Sequence, residues 1–469
     1  MNSPRIGSFE VDDSEWPGKI NGHLHRSNGP PRYYFRTFLI AFLVFSVHLS
    51  IILAFKVKPV SDFEVYYGAA SGIVSGNQLW DSYRYFQGPG YPYFLSLLFQ
   101  LFKTQSILLP QLFNSLMLVL AGLLLMRYAW VEDPRLKIVG FLTLTLNLNY
   151  LAMVPLLCSE ILYALFLAFG LVLLWLGYRA LQEGRLEKFR STLVLLVSGI
   201  SLGVSQSIRP VTTPFLFLLS AIFLTGITYF HTKPMQASFG ERMMKGLRIL
   251  FPVWGTFLLT ALCLYYTTGY GLRIQPGQNG LWNLYIGFNT ESMGRWNSKD
   301  PELISKLGDR HEWNSARING ELWPRVVDRI KRNGLKNLEL LPKKMYFLLD
   351  PGAIAYWPIE YSQVRNKNRI YKVSYYLRWI NTVVLVACLL TGAIWLRRRR
   401  ISEESLFVFC IMSAALSNAV LHGYILEVQP RYVNHLWMIL FWCIPISLSV
   451  IFQVAPKRIT FRNRRNHGA

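Results

Sequence analysis

A few short stretches of the chain hold acids and cations between apolar runs, and these are the residues that could do chemistry. The first runs from Ser61 to Pro92 and carries Asp62, Glu64, Asp81 and Arg84 among aromatic residues, glycines and prolines. The others are Ser159-Glu160, Ile208-Arg209-Pro210, His422 and Gln429-Pro430-Arg431-Tyr432. A carboxylate can take the proton from an acceptor nucleophile. Arginine forks fit a phosphate, and cations stabilise one as it departs. Acids and arginines together are equipment for transfer from a phosphate-linked donor. Asp62 and Glu160 are the catalytic candidates, and the same two carboxylates are the candidate ligands of a divalent metal ion. Glu64, Arg84, Tyr91, Arg209, His422, Arg431 and Tyr432 are the candidates for substrate binding.

Each of these residues has a structural reading beside the chemical one. Ser61-Asp62-Phe63-Glu64 has the capping-box form, which uses Glu64 as a cap and leaves Asp62 free to face a substrate. Val65, Tyr66, Ala69, Ala70 and Ile73 recur at helical spacing, and Gly76-Asn77 reads as a stop. The spacing thus predicts an amphipathic helix on the outer surface. Glu160 reads also as a helix-start acid beside Ser159, although an ionisable group at a membrane edge marks a functional site by default. Arg209 and Arg431 read also as snorkelling interface residues. Trp282, Trp296, Trp313, Trp323 and Trp357 either stack on sugars or anchor the chain at the interface, the commoner use. The chain has no P-loop, no H-E-x-x-H and no G-x-S-x-G, which argues against nucleotide hydrolysis, zincin and α/β-hydrolase chemistry.

The elements that must position these residues are membrane helices. The 469 residues are 52% hydrophobic and 15% aromatic but only 16% charged, with a mean hydropathy of +0.27. Soluble chains carry about 25% charged residues. The formal charge of +23 is spread over short clusters between apolar runs. That suits cytoplasmic loops and anionic lipids rather than nucleic acid. Cys158, Cys263, Cys388, Cys410 and Cys443 show neither metal spacing nor a disulfide framework and read as apolar fillers. Residues 1–36 read as a disordered tail, followed by a retained anchor rather than a signal peptide.

Runs long enough to cross a bilayer occur near Thr37–Phe55, Ile107–Met126, Ile138–Leu156, Ile161–Tyr178 and Thr192–Ser207. Others follow near Val211–Phe230, Leu250–Thr268, Tyr376–Leu396, Leu406–Leu421 and Tyr432–Val450, making about ten spans. Tyr91–Phe102 is apolar but short. Leaving it out puts every short basic cluster, including Arg397–Arg400 and the C-terminal tail, on one side, so it reads as interfacial or re-entrant. Both termini are then cytoplasmic, and the candidate residues face outward. The expected fold is an all-α polytopic membrane protein with juxtamembrane helices on the outer surface. The division is a tail (1–36), a transmembrane catalytic module (37–268) with its first outer loop (56–106), an extracytoplasmic α-rich loop domain (269–375), C-terminal transmembrane helices (376–453) and a basic tail (454–469). The loop domain holds helical patterns at Ala316–Arg332 and Leu335–Leu348 with a stop at Asn333-Gly334.

The order of these features resembles the GT-C superfamily of integral-membrane glycosyltransferases, in the branch of protein O-mannosyltransferases and lipid A aminoarabinose transferases. The resemblance rests on Asp62-Phe63-Glu64 with Tyr66-Tyr67, on Gly88-Pro89-Gly90-Tyr91-Pro92-Tyr93, on Ser159-Glu160 and on Ile208-Arg209-Pro210. It continues through Asn283 to Asn289, Gly294-Arg295-Trp296 and Arg431-Tyr432, and covers most of the chain from the first span onward. It implies a polyprenyl-phosphate sugar donor, a lipid, glycan or protein acceptor, and an active site outside the cytoplasm in the inner or plasma membrane. It assigns the catalytic acid to Asp62, a second acid around the site or a metal to Glu160, and a place near the lipid phosphate to Arg431. The chain departs from the mannosyltransferases in splitting their adjacent Asp-Glu pair with Phe63, and from many members in having Gly90 for a second proline. Two other readings stand beside it. A surface-polysaccharide ligase or polymerase would depend on outward-facing Arg and His more than on Asp62. A non-enzymatic lipid-linked-sugar flippase would show polar or broken helices near the midplane.

Overall fold

The computed structural model describes residues 31–128, 133–183, 188–229, 238–270, 279–350, 352–397 and 402–454. The expected tail before Pro31, the basic run after Arg397 and the C-terminal basic tail lie outside these residues. The chain divides after Leu43 into two compact units, and residues 44–469 hold every site described below.

Among the described residues the regular structure is helical throughout. Helix α1 (Pro31–Phe55) leads into a loop that holds α2 (Asp62–Val74), α3 (Asp81–Phe86) and α4 (Gly90–Phe102). Next come α5 (Leu108–Arg127), α6 (Pro134–Thr145), α7 (Leu148–Met153), α8 (Ser159–Glu183), α9 (Lys188–Ile208), α10 (Thr212–Tyr229) and α11 (Phe239–Tyr265). The large loop folds into α12 (Gly280–Gly287), α13 (Lys299–Arg310), α14 (Ser315–Glu339), α15 (Leu341–Leu348) and α16 (Gly352–Glu360). Helices α17 (Lys367–Arg397), α18 (Glu403–Ile425) and α19 (Asn434–Val454) follow, with a 3-10 turn at Pro430–Val433.

Among the described residues eight helical segments are long and apolar enough to cross a membrane, and the shorter apolar stretches Thr212–Ile227 and His435–Ile451 bring the set to the ten expected. The flank of α11 exposes Phe251, Leu258, Leu259 and Leu262. Contiguous apolar surface of that kind belongs against lipid rather than water. The chain is a multi-pass integral membrane protein. Helix α4 has 13 residues, about 20 Å at 1.5 Å per residue, too short for a hydrocarbon core of about 30 Å. It packs on α2 instead, as the sequence pattern expects of a segment that does not cross.

Small residues hold the bundle together. On α8, Gly170 lets α9 approach until an added Cβ would lie 2.7 Å from Leu202 Cγ. Carbonyls of α8 also accept bonds from α9: Ser198 Oγ donates to Gly170 O at 2.7 Å, and Ser201 Oγ donates to Phe166 O at 2.8 Å. Close backbone approach with hydroxyl cross-links is how helices associate where lipid removes the hydrophobic drive.

Three local expectations give way to tertiary structure. The third span is broken into α6 and α7, because Asn147 donates back to Leu144 O at 2.7 Å while its Oδ1 caps the Asn149 N–H at 2.9 Å. The expected stop at Asn333-Gly334 is absent. Helix α14 runs through it, since Asn333 Nδ2 donates to Phe288 O at 2.9 Å instead of capping its own helix. The break falls at Leu340, with Pro342 opening α15. The capping box at the head of α2 does not form either. Ser61 has φ 55 and ψ −133, outside the extended region an N-cap needs, and its side chain makes no cap bond. The predicted stop of α2 does form: Gly76 at φ 82 is held by Asn77 N–H to Gly72 O (2.9 Å) and Gly76 N–H to Ile73 O (3.0 Å), the two bonds of a Schellman turn.

The large loop carries its own core of Trp282, Ile286, Ile304, Leu307, Ile318, Leu322 and Val326, and Tyr85 of α3 inserts into it. Tyr85 OH donates to Asn319 Oδ1 at 3.2 Å, and Asn279 Nδ2 donates to Phe86 O at 2.9 Å. The first loop and the large loop are thereby one assembly, and the site lies between them.

Candidate active site

A cavity of about 960 Å³ opens where the first loop, the large loop and the last loop meet. Its lining includes Asp62, Tyr83 and Gln87 from the first loop, Trp282, Arg295 and Trp296 from the large loop, Trp357 of α16 with Tyr361 just after it, and Glu427 to Tyr432. Glu160 reaches it from the head of α8.

Asp62 is the first residue of α2 and Arg431 lies in the 3-10 turn before α19, 369 positions apart in sequence, yet Arg431 Nη2 donates to Asp62 Oδ2. The carboxylate keeps 31% of its side-chain surface, against 16% for the guanidinium. Burial works against the Arg431 charge, but Asp62 together with Tyr432, Glu160 and Tyr66 outweighs it, so Arg431 is held well above its ordinary pKa. Arg431 Nε donates to Gln429 Oε1 at 2.8 Å, and Gln429 Nε2 donates in turn to Glu427 Oε1. Glu427 also accepts from Tyr432 OH at 3.4 Å, and its backbone carbonyl faces His422 Nε2 at 3.0 Å. Burial raises the Glu427 carboxyl above the usual carboxylate range.

Glu160 and Arg209 form the second acid–cation pair. Arg209 Nη1 donates to Glu160 Oε1 and, at 3.3 Å, to Ser159 Oγ. Glu160 is 1% exposed, and its second oxygen has no hydrogen-bond partner among the described residues. The Arg209 and Arg431 guanidinium carbons each lie 5.5 Å from the Tyr432 ring centroid, so one phenol ring serves both cations. Arg209 follows the last turn of α9, and the Gly88-Pro89-Gly90 turn packs directly on that turn. A Cβ on Gly88 would come 2.5 Å from Ser207 O, and one on Gly90 would come 2.7 Å from Ser207 Oγ. The glycines thus bring the start of α4 against Ser207 and Ile208, the two residues that precede Arg209.

Asp62, Glu160, Arg431 and Tyr432 line the cavity, while Arg209 stands behind Glu160. His422 does not line it and packs at a tilt on the Tyr432 ring, centroids 5.3 Å apart. Tyr91 is fully buried beneath it, edge-on to Tyr66 at 5.1 Å, with its hydroxyl unbonded among the described residues. Tyr66 OH donates to Gln87 Oε1 at 2.9 Å, and burial pushes its pKa up to about 12. Glu64 is exposed and Arg84 pairs with Asp81 at 3.5 Å, and neither lines the cavity. Of the five large-loop tryptophans, Trp282, Trp296 and Trp357 line the cavity. Trp313 packs on Phe86 at 5.7 Å, and Trp323 is exposed.

Glu427 and Gln429 are the members of the site that sequence reasoning passed over. The available signal was an acid and an amide in the same short loop as Arg431, between two apolar spans. Among the described residues no group of three or more His, Cys, Asp or Glu is placed to hold a metal ion. Asp62 and Glu160 each already face a guanidinium. Each of the two carboxylates thus has a counter-cation supplied by the chain itself.

No protein-family model matches the chain, and no curated protein matches it by sequence. Among solved structures it is similar to archaeal oligosaccharyltransferase AglB from Archaeoglobus fulgidus in complex with an inhibitory peptide and a dolichol-phosphate. The identity is 15% and the TM-score 0.43, over 90% of this chain and 51% of that one. It is also similar to the Archaeoglobus fulgidus oligosaccharyltransferase tethered with an acceptor peptide containing the NVT sequon. There the identity is 12% and the TM-score 0.46, over 89% of this chain and 50% of that one. For the apo form of that enzyme the values are 13% and 0.44, over 89% and 51%. The chain spans about half the length of these structures.

Proposed function

We propose that this protein is a GT-C-type glycosyltransferase that moves a sugar from a polyprenyl-phosphate donor to a lipid, glycan or protein acceptor on the extracytoplasmic side of the membrane. The observation that carries the reading is the pairing of Asp62 with Arg431 at the wall of a large cavity rimmed by indole and phenol rings. A base and a phosphate-seeking cation side by side are what such a transfer needs.

In this scheme the donor phosphate binds Arg431 and takes it from Asp62. The freed carboxylate accepts the proton of the acceptor nucleophile. The nucleophile forms its bond to the anomeric carbon from the face opposite the phosphate, and the carbon–oxygen bond to phosphate breaks. The electron pair leaves on the phosphate oxygen, giving polyprenyl phosphate beside Arg431 and a protonated Asp62. The Glu427–Gln429 relay turns the Arg431 fork toward that position. The Arg209–Glu160 pair supports Tyr432 from the other side. The positive charge comes from arginine rather than a metal, so EDTA is expected to leave the rate unchanged.

Reconstituting the protein with a labelled polyprenyl-phosphate sugar and comparing it with Asp62→Asn tests the scheme. Loss of a base of this kind costs about 10²–10⁴-fold in rate. Retained transfer in Asp62→Asn would remove Asp62 from the chemistry. Lipid translocation without turnover would favour the flippase reading. The ligase reading depends on outward-facing Arg and His more than on Asp62; of these His422 does not line the cavity, and its Nε2 lies 3.0 Å from Glu427 O.

A further inference from the structure

Among the described residues two cations line the cavity, and they are in different states. Arg431 is engaged by Asp62, whereas Arg295 meets no carboxylate among the described residues. The Arg295 guanidinium lies over the Phe347 ring, 4.8 Å from its centroid. The backbone beneath it is built to stay in place. Gly294 has φ 72, its N–H donates to Asn289 O at 2.8 Å, and its carbonyl accepts from Val428 N–H at 2.7 Å. A Cβ there would come 2.9 Å from Lys344 Cε. Only glycine suits both the angle and the space. This clip ties the turn that carries Arg295 to the loop that carries Arg431. The next residue, Trp296, lines the same cavity with 65% of its surface exposed and no ring partner among the described residues.

An indole offers an apolar face to a sugar ring, and a guanidinium offers a fork to a carboxylate or phosphate. Among the described residues Arg295 has no acidic partner and only the Phe347 ring beneath it, and Trp296 has no ring partner. We propose that Arg295 and Trp296 form a subsite for a sugar ring bearing an anionic substituent, distinct from the position of the donor's linking phosphate at Arg431. The subsite rests on reading the cavity as a sugar-transfer site. Its binding test does not depend on turnover.

The full chain in lipid nanodiscs would be titrated with glucose, glucuronate, glucose 6-phosphate and inorganic phosphate. Binding would be read by calorimetry and ligand-observed NMR. The wild type is expected to bind at least one of the two anionic sugars more tightly than either glucose or inorganic phosphate. A response to glucuronate alone identifies a uronic-acid-type ring, and a response to glucose 6-phosphate alone identifies a phosphorylated one. Arg295→Gln is expected to weaken that anionic sugar about tenfold, the worth of one charge-assisted bond, and to leave glucose unchanged. Trp296→Ala is expected to weaken all three sugars and leave inorganic phosphate unchanged. No preference for an anionic sugar in the wild type would overturn the proposal. So would an Arg295→Gln variant, folded by its thermal transition, that loses inorganic phosphate as much as it loses the sugar. Anionic-sugar binding without any transfer would keep the subsite and remove the transferase reading.

Discussion

The buried Glu160–Arg209 pair gives the sharpest quantitative expectation. Its side chains are 2% and 10% exposed, and the second Glu160 oxygen has no protein partner among the described residues. Arg209→Met leaves a carboxylate in that place without its cation, and Glu160→Gln leaves the guanidinium without its charge. Removing one member of a buried pair costs about 3–5 kcal/mol, most of it the penalty on the charge left behind. The unfolding entropy of globular chains gives about 1 °C per kcal/mol at this length, so each single variant should lower Tm by about 3–5 °C. The double variant leaves no stranded charge and should cost less than the two singles together by about 2–3 kcal/mol. Cys158, Cys388, Cys410 and Cys443 are buried and Cys263 is exposed, so a thiol-reactive dye on a Cys263→Ser background reports unfolding directly. Single variants whose shifts are under about 1 °C and simply add would refute the argument that this pair is coupled and desolvated.

Other perturbations address the rest of the site. Glu427→Gln should raise the donor KM about 5–10-fold with little change in kcat, because the amide no longer fixes Gln429 against Arg431. The exchange of Glu427→Gln with Gln429→Glu restores an acceptor for Arg431 Nε, so a donor titration should show KM recovering. Gly88→Ala pushes a methyl into Ser207 O, and should cost about 1–3 kcal/mol in thermal stability and lower transfer by moving the chain that leads to Arg209. Lys344 is buried, and its Nζ donates to Gly287 O and Asn337 Oδ1 at 2.7 Å each. Burial brings its pKa down from 10.5 to about 8. The folded value lies below the unfolded one, so this stability is present above 10.5 and is lost as pH falls through 8. Relative to Lys344→Met, the wild type should therefore gain about 3 kcal/mol between pH 7 and pH 11. Thermal transitions across that range check the sign.

The sequence by itself determined the parts of this protein that follow from periodicity and length. Ten apolar runs, the short Gly90–Phe102 helix and the glycine stop of α2 are all set by local composition, because a bilayer leaves a chain few ways to satisfy its backbone. The types of the site residues were equally legible, since Asp62, Glu160, Arg209 and Arg431 are charges in places where charge is costly. Which acid meets which arginine was decided only by tertiary structure. Asp62 and Arg431 are 369 positions apart, and Glu160 and Arg209 are 49 apart. Spacing along the chain carries no information about either pairing. Capping was likewise overruled where a tertiary partner competed: Ser61 gives up its cap geometry, and Asn333 leaves its own helix for Phe288 O. The Arg295–Trp296 wall exists because a positive-φ glycine is clipped to a loop more than a hundred residues away, a contact that only the folded chain creates.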